Sequence, residues 1–424
     1  MIHEVGTHAS FISALSDVEC SQILLSADIE LSDKISIKQD LQIDLNGHRL
    51  CTSVIEGITV SKGNVLFVNG TVIGSESDPI VAEGVGTVVT LGAGLSVNAA
   101  KCALYARGRA KIVIDGADIE SLGEHAAVFV EGSGLAKDNT CLELKEGQIV
   151  ATKQIAVSVK KGGIFIMSGG RVESKVDAAN PDKTSTVYLH GARTKMELLG
   201  GEIESVFTSA LSIVDGPQAY IKGGLISSST RTEAAIFVQG PNSCLSMSNG
   251  EISSANSDGV LVGGLDKDQV NAVVVSGGVI AVPNSRKPIV EVAGAGHPAV
   301  SITGGRFHGD LNFSYIEDGY VGRKDSLGYI DVISIEDASQ LPDDIEPAPI
   351  VPNKSVMLSK PIPVYGSPSR RFVICHIIGC VRIITTDHVD NQTGDNYSFV
   401  EYVLAGVGRR ATGYVLTSMI GGGS

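Results

Sequence analysis

The side chains able to do chemistry in this sequence are its carboxylates, histidines and cysteines, and their spacing decides what that chemistry could be. Asp115, Asp118 and Glu120 stand close together, and Glu202 and Glu204 form a second group. Two or three carboxylates on one face, about 5–10 Å apart, would serve acid–base or nucleophilic cleavage of a glycosidic bond. A carboxylate-bound Ca²⁺ beside a basic residue would serve an elimination. The two groups fall in different sequence repeats, about four repeats apart, or roughly 19 Å at the spacing of stacked strands. Glu173 and Glu204 occupy equivalent places in successive repeats, and each reads as an ordinary outward residue of an alternating strand. His125, His190, His297 and His308 share no period and lack the spacing of a metal-ligand set. The seven cysteines, an odd number scattered from Cys20 to Cys380, form no disulfide framework. Cys375 and Cys380 flank His376 without forming a Cys-x-x-Cys pair, and a hairpin between them would let them face each other. Aromatic platforms for sugars most often use Trp, which is absent. Tyr105, Phe129, Phe165, Tyr188, Tyr220 and Phe237 read as core strand positions. No catalytic, metal-binding or cofactor-binding residue is expected, and the chain is expected not to be an enzyme.

The elements that would position these groups follow from a repeat. A Gly-Gly pair, then any residue, then an aliphatic or aromatic residue recurs at Gly169-Gly170, Gly200-Gly201, Gly223-Gly224, Gly277-Gly278 and Gly304-Gly305, with Asn249-Gly250 as a variant. Weaker copies lie at Asn46-Gly47, Asn69-Gly70, Ala93-Gly94, Asp115-Gly116 and Glu146-Gly147. These eleven copies are 22 to 31 residues apart, and each period holds about three short strands. Three strands per period of this length make one coil of a parallel β-helix. Eleven coils give a rod of roughly 50 Å. A propeller blade would need four strands in about 40 residues. The glycine pairs are corners, because no Lys-Ser/Thr follows at phosphate-loop spacing and the next segment is a strand. The 50 glycines and the 5% aromatic content fit coils filled by small aliphatics.

Residues Thr7 to Asp17 read as a capping helix, with Thr7 or Ser10 at its N-cap and Phe11, Ile12 and Leu15 on one apolar face. First strands are expected at 23–25, 29–31, 35–37 and 41–45. Two coils are longer, with insertions near Gly132–Cys141 and Ser174–Thr186, where solenoid loops often carry binding surfaces. The Pro-rich stretch from Gln340 to Asn353 reads as a linker. Six short strands follow, at 355–358, 362–365, 372–377, 381–385, 399–404 and 413–416, spaced as in a small barrel. The expected organisation is a cap over 1–19, a parallel β-helix over 20–335, a linker over 336–353, a barrel over 354–420 and a flexible tail over 421–424.

Net charge is −14, which disfavours nucleic-acid backbones. No segment has the length of uninterrupted apolar residues that a membrane span needs. The opening Met1-Ile2-His3-Glu4-Val5 has no basic start or apolar core of a secretory signal, so folding in a cytoplasm is expected.

Ile29-Glu30-Leu31 followed by Ile43-Asp44-Leu45-Asn46-Gly47-His48-Arg49-Leu50 resembles the opening of the pectate-lyase-like right-handed parallel β-helices of phages and gut bacteria. Gly304-Gly305-Arg306-Phe307 with Tyr315-Ile316-Glu317-Asp318-Gly319-Tyr320-Val321 resembles the exit of the same repeat. Val356-Met357-Leu358, Pro363-Val364-Tyr365-Gly366, Val381-Arg382-Ile383 and Thr412-Gly413-Tyr414-Val415 resemble a bacterial or phage SH3-like domain. The resemblance implies a non-enzymatic bacteriophage virion protein: a head fibre, a capsid decoration or a tail-associated component. Its partners would be other virion proteins, with a host-surface glycan or further copies of the chain also compatible. The alternative is a tail-spike-like glycan-binding protein or polysaccharide depolymerase.

Overall fold

A computed structural model describes residues 1–76, 78–135, 139–176, 185–265, 269, 271–292, 299–325, 327–340, 355–367, 370–389, 396–403 and 410–416; beyond residue 338 it describes backbone, together with the side chain of Tyr397. The chain divides into two units, 1–340 and 341–424.

The first unit is an all-β solenoid, of right-handed type, with about twelve turns. Each regular turn supplies three strands, so three faces run along the rod. The first face is a ladder of eleven parallel strands from Ile35–Ile37 to Ile289–Glu291. The second face begins with Ile2–Val5, Gln22–Leu25 and Leu41–Asp44. The third begins with Ile29–Leu31 and Arg49–Thr52. Single strands such as Lys111–Ser121 and Cys141–Ala151 bend through the corner between the second and third faces, joining them into one sheet. The four strands expected near the N-terminus are observed at 22–25, 29–31, 35–37 and 41–44.

Stacking fixes the interior. On the first face Ile35, Ile58, Ile80, Leu104 and Val128 lie in register and are buried. Identical rows of branched aliphatics suit a core that is only one coil wide and repeats every ~4.8 Å. A second interior row, at the end of the third face, is polar. Ser121, Ser174 and Ser228 are buried there and donate to loop carbonyls of Lys101, Gln154 and Thr208 at 2.6, 2.8 and 3.2 Å. These bonds satisfy backbone oxygens at the corner where the third face turns into the first.

The glycine pairs are doubled for two different reasons. Gly170 has φ +75°, the left-handed region that costs an L side chain roughly 1–2 kcal/mol. Gly169 has no positive φ; instead a Cβ there would stand 2.2 Å from the Lys145 carbonyl oxygen of the preceding turn. One glycine turns the corner and the other lets two turns approach.

The N-terminal helix spans His8–Ser16, with Thr7 as N-cap and Ser10 completing a capping box. Phe11 and Ala14 enter the core and Leu15 packs against it, whereas Ile12 is exposed. The apolar face is therefore Phe11–Ala14–Leu15 and excludes Ile12. At the other end Val300–His308 pairs antiparallel with Tyr329–Ser334, which pairs with Tyr320–Lys324. A short helix, Ile335–Gln340, occupies the start of the stretch expected to be linker. Among the described residues no helix is long and apolar enough to cross a membrane.

The second unit is a closed antiparallel barrel of four strands, Ser355–Ser367, Arg370–Val389, Asn396–Val403 and Arg410–Leu416. The six short strands expected here merge into these four. Gly379, between the two cysteines, pairs with Leu358 inside the ladder. Cys375 and Cys380 consequently lie on one continuous strand rather than facing across a hairpin. A rise of five residue steps along the strand sets them roughly 16 Å apart, beyond the ~7 Å Cα separation that a disulfide spans. The stretch 341–354 and the tail 421–424 fall outside the described residues.

Candidate binding face

The outward rows of the solenoid distinguish its faces. On the second face and the corner that leads to the third they carry ion pairs between neighbouring turns: Lys111–Glu143 at 2.5 Å, Lys222–Glu197 at 3.2 Å and Lys145–Asp115 at 3.4 Å. On the first face one outward row reads Tyr105, Phe129, Ser158, Tyr188, Ser212, Phe237, with each residue in register with the next. Its four aromatic rings are half-buried and point away from the core, because their strand neighbours Leu104, Ala106, Val128, Val130, Val187, Leu189, Ile236 and Val238 fill the interior.

This corrects the sequence reading for Tyr105, Phe129, Tyr188 and Phe237. Tyr220 is likewise half-buried on an outward row of the second face; Phe165 alone of the six is a core residue. The sequence did hold a signal. Aligning the turns puts Phe129 and Tyr188 in the column of Ser158 and Ser212, residue types at home on an outer surface. The phase was hidden because Val128-Phe129-Val130 is apolar throughout.

Two cations cover three of the four rings. The Arg107 guanidinium lies 5.2 Å from the Tyr105 centroid, and the Lys160 ammonium lies 5.4 Å from Phe129 and 5.6 Å from Tyr188. Tyr105 and Phe129 meet edge to face at 5.3 Å, and His190 stacks on Tyr188 at 6.0 Å. Ser158, in register between Phe129 and Tyr188, is only 2% exposed and its hydroxyl has no hydrogen-bond partner.

Toward the edge where the first face turns into the second, a groove of about 580 Å³ is lined by Glu83, Arg107, Glu131 and Lys161. Its charges are mutually engaged. Arg107 donates to Glu56 at 2.6 Å and to Glu83 at 2.7 and 2.9 Å, and Lys34 reaches Glu56 at 2.5 Å. These two cations hold the Glu56 carboxyl down at about 2. Glu131 accepts from Lys161 at 2.6 Å and from the Tyr105 hydroxyl. Lys161 and Tyr105 lower the Glu131 pKa, while burial and then Glu131 push the Tyr105 phenol up to about 12.

The carboxylates singled out by sequence lie elsewhere, on the third face and its corner. Asp118 and Glu202 are separated by Gln148 and Arg171, so these groups are three turns apart, roughly 14 Å, and not four. Glu173 and Glu204 are adjacent in register, as their equivalent positions implied. Arg171 joins them, pairing with Glu204 and lying 3.6 Å from Glu173. Burial, reinforced by Glu204, raises the Glu202 pKa. Of the histidines, His125 is exposed, His190 lies 3.5 Å from Asp215, and His308 meets the Val282 carbonyl at 2.6 Å. His297 falls outside the described residues, and His376 sits on the long barrel strand. Among the described residues no three His, Cys, Asp or Glu side chains gather as a metal site.

Both insertions border the first face, on opposite edges. One follows Val128–Glu131 and the other precedes Val187–His190. Residues 136–138 and 177–184 within them fall outside the described residues.

A family model described as a pectate lyase-like adhesive domain matches residues 2–87, about a fifth of the chain. This stretch holds the N-terminal helix and the first turns of the solenoid. No curated protein and no solved structure matches the sequence. An adhesive domain is compatible with a surface-binding or structural role and with a chain that is not an enzyme.

Proposed function

We propose that this chain is a non-enzymatic adhesive and structural protein, in which the solenoid is a rigid rod and its first face binds a surface. The observation that carries this reading is the in-register outward row of Tyr105, Phe129, Tyr188 and Phe237 on the first face. The adhesive description of the family matched by residues 2–87 supports it. In its more specific form the reading is a bacteriophage virion component, made in the host cytoplasm: a head fibre, a capsid decoration or a tail-associated protein. The barrel of the second unit, read as SH3-like, then docks to other virion proteins. That form is supported by the resemblances in the opening coil, the exit coil and residues 353–420.

The test is adhesion of the purified chain to candidate host cells, before and after Tyr188→Ala and Phe237→Ala. Loss of adhesion in these variants supports the reading, and unchanged adhesion refutes the assignment to the first face. Deleting 353–424 tests docking separately: unchanged particle incorporation and unchanged adhesion remove that role. The outward rings also favour the glycan-binding form of the alternative. Its depolymerase form requires release of oligosaccharides by the purified chain and loss of that release in Glu173→Gln or Glu204→Gln.

A further inference from the structure

We infer that the N-terminal end of the solenoid is a docking surface for a second copy of this chain, with the two Ile2–Val5 strands paired antiparallel about a two-fold axis at His3. The inference is independent of what the first face binds. Three observations meet at this end. Ile2–Val5 pairs with Gln22–Leu25 along one edge, and among the described residues no strand lies along its other edge. Met1, Ile2, Ile12 and Val18 are 67%, 63%, 37% and 83% exposed, so four of the fifteen exposed large hydrophobic residues described lie within the first 18 positions. The capping helix His8–Ser16 at the same end has no acidic or basic side chain besides His8, and it exposes Ala9, Ile12, Ser13 and Ser16.

The open edge can be specified atom by atom. The Ser21 N–H donates to the Met1 carbonyl at 2.9 Å, and the Ser26 N–H to the Val5 carbonyl at 2.8 Å. Backbone groups of successive strand residues point to opposite edges. Residues 1, 3 and 5 therefore face Gln22–Leu25, while Ile2 and Glu4 turn their N–H and C=O groups outward. Among the described residues none bonds to these four groups. Proline, lysine and bulges, which commonly blunt such an edge, are absent from it.

The partner is a second N-terminal end rather than the opposite end of the rod. There Val300–His308 is already covered by the antiparallel strand Tyr329–Ser334, and Asp310, Glu317, Asp318 and Lys324 are exposed. Head-to-tail stacking would set an open strand against one whose edge is taken. With a net charge of −14, copies repel one another, and contact is favoured where charge is sparse. An isologous contact uses the same patch on both copies. With the axis at His3, Ile2 lies opposite Glu4 of the partner subunit, and Glu4 opposite Ile2 of the partner subunit. Alternate opposed residues of an antiparallel pair exchange both N–H···O bonds, so four bonds satisfy every open group on both strands. Moving the axis to Glu4 would set two carboxylates directly opposite each other, which is destabilising. His3 keeps its own partner, Asp17, at 2.8 Å.

The experiment is analytical ultracentrifugation of the full chain over a range of concentrations, which should show a monomer–dimer equilibrium. Ile12→Glu places a carboxylate on the uncharged helix face, and Ile2→Pro removes an N–H that faces the partner. Each should weaken dimerisation about tenfold or more. Neither should lower the thermal stability of the dilute monomer, because Ile12 is exposed and proline is tolerated where a strand N–H faces solvent. A loss of stability in Ile2→Pro would mean that this N–H serves the fold, and would overturn the edge assignment. Cysteines test the register. Ile2→Cys combined with Glu4→Cys should link two copies under mild oxidation, since opposed residues stand about 5.5 Å apart, within reach of a disulfide. Ile2→Cys alone should not, because the two thiols would lie diagonally, about 7–8 Å apart. Failure of the double variant to link the copies overturns the strand pairing. A chain that stays monomeric at every concentration, a trimer, or a dimer untouched by both Ile12→Glu and Ile2→Pro overturns the proposal.

Discussion

Alanine placed at Gly47, Gly169 and Gly170 should separate the two demands that the corner makes. Gly47 has φ +81° and open space around the position a Cβ would take, so Gly47→Ala meets backbone strain alone. That strain is worth about 1–2 kcal/mol. Gly169→Ala meets crowding alone. Its Cβ would lie 2.2 Å from the Lys145 oxygen, and at least 3.0 Å is needed, so the two turns must part by about 0.8 Å or more. The adjacent bond from the Ser168 N–H to the Leu144 oxygen measures 2.9 Å. Stretched by that amount it passes ~3.6 Å and ceases to be a hydrogen bond. Crowding together with the lost bond gives a cost of about 2–4 kcal/mol. Gly170→Ala, with φ +75° and a Cβ 2.6 Å from the Gly147 oxygen, combines both penalties and should be the worst of the three.

A stack of coils need not unfold in one step, so Tm alone is a blunt measure. The informative assay is amide hydrogen exchange, followed in segments 141–151 and 164–174 beside that of Gly47. Gly169→Ala should accelerate exchange in both of the first two segments. Gly47→Ala should act only near its own corner and more weakly. If Gly169→Ala is as mild as Gly47→Ala, or leaves exchange at Ser168 unchanged, the explanation of the paired glycines by close approach is wrong.

Ser174→Ala removes the 2.8 Å bond to the Gln154 oxygen and should destabilise by about 1–3 kcal/mol, with faster exchange in the 152–156 corner. Lowering pH should weaken the charge cluster of the first face. Glu56 is held at about 2 in the fold against an ordinary 4.5, so its contribution is complete above 4.5 and is lost as pH falls from there toward 2. Arg107→Met should flatten that part of the stability–pH curve, whereas an unchanged slope would remove Arg107 as the cause. A thiol titration in denaturant without reductant should find all seven cysteines reactive, since the strand holding Cys375 and Cys380 keeps them apart. A titre of five would contradict the strand.

The period, the corners and the identity of the inner rows were legible because stacking makes each turn repeat its neighbour's demands. Gly169-Gly170 announces a corner, and Ile155-Ala156-Val157 announces a strand, without knowledge of anything distant. The direction of a side chain was less legible. Alternation assigns it only where polar and apolar residues alternate, and Val128-Phe129-Val130 does not alternate. Only register with Ser158 on the next turn reveals that Phe129 faces outward. The hairpin expected to bring Cys375 and Cys380 face to face is absent for a related reason: ladder partners such as Leu358, opposite Gly379, hold the segment within one strand. The orphaned Ser158 hydroxyl carried no sequence signal at all, because serine is common and its missing partner is a property of the packed surface.

The same reasoning shows where in a solenoid function can be read. Inner rows and corners repeat because each turn must fit the next, so their regularity says little about activity. Outward rows are nearly free of that demand, and on the second face and its corner they carry solvent-facing ion pairs that add little stability and keep the rod solvated. Between Phe129 and His190 the first face departs from this in three ways: rings point outward, an ammonium lacks a carboxylate, and a hydroxyl lacks a partner. None of the three is required by stacking, since Ser212 and Gln239 fill equivalent outward positions on later turns. Independent departures that serve the fold would be scattered along the rod. Their coincidence on three successive turns, between two insertions, is the arrangement expected of a surface shaped by something that binds it.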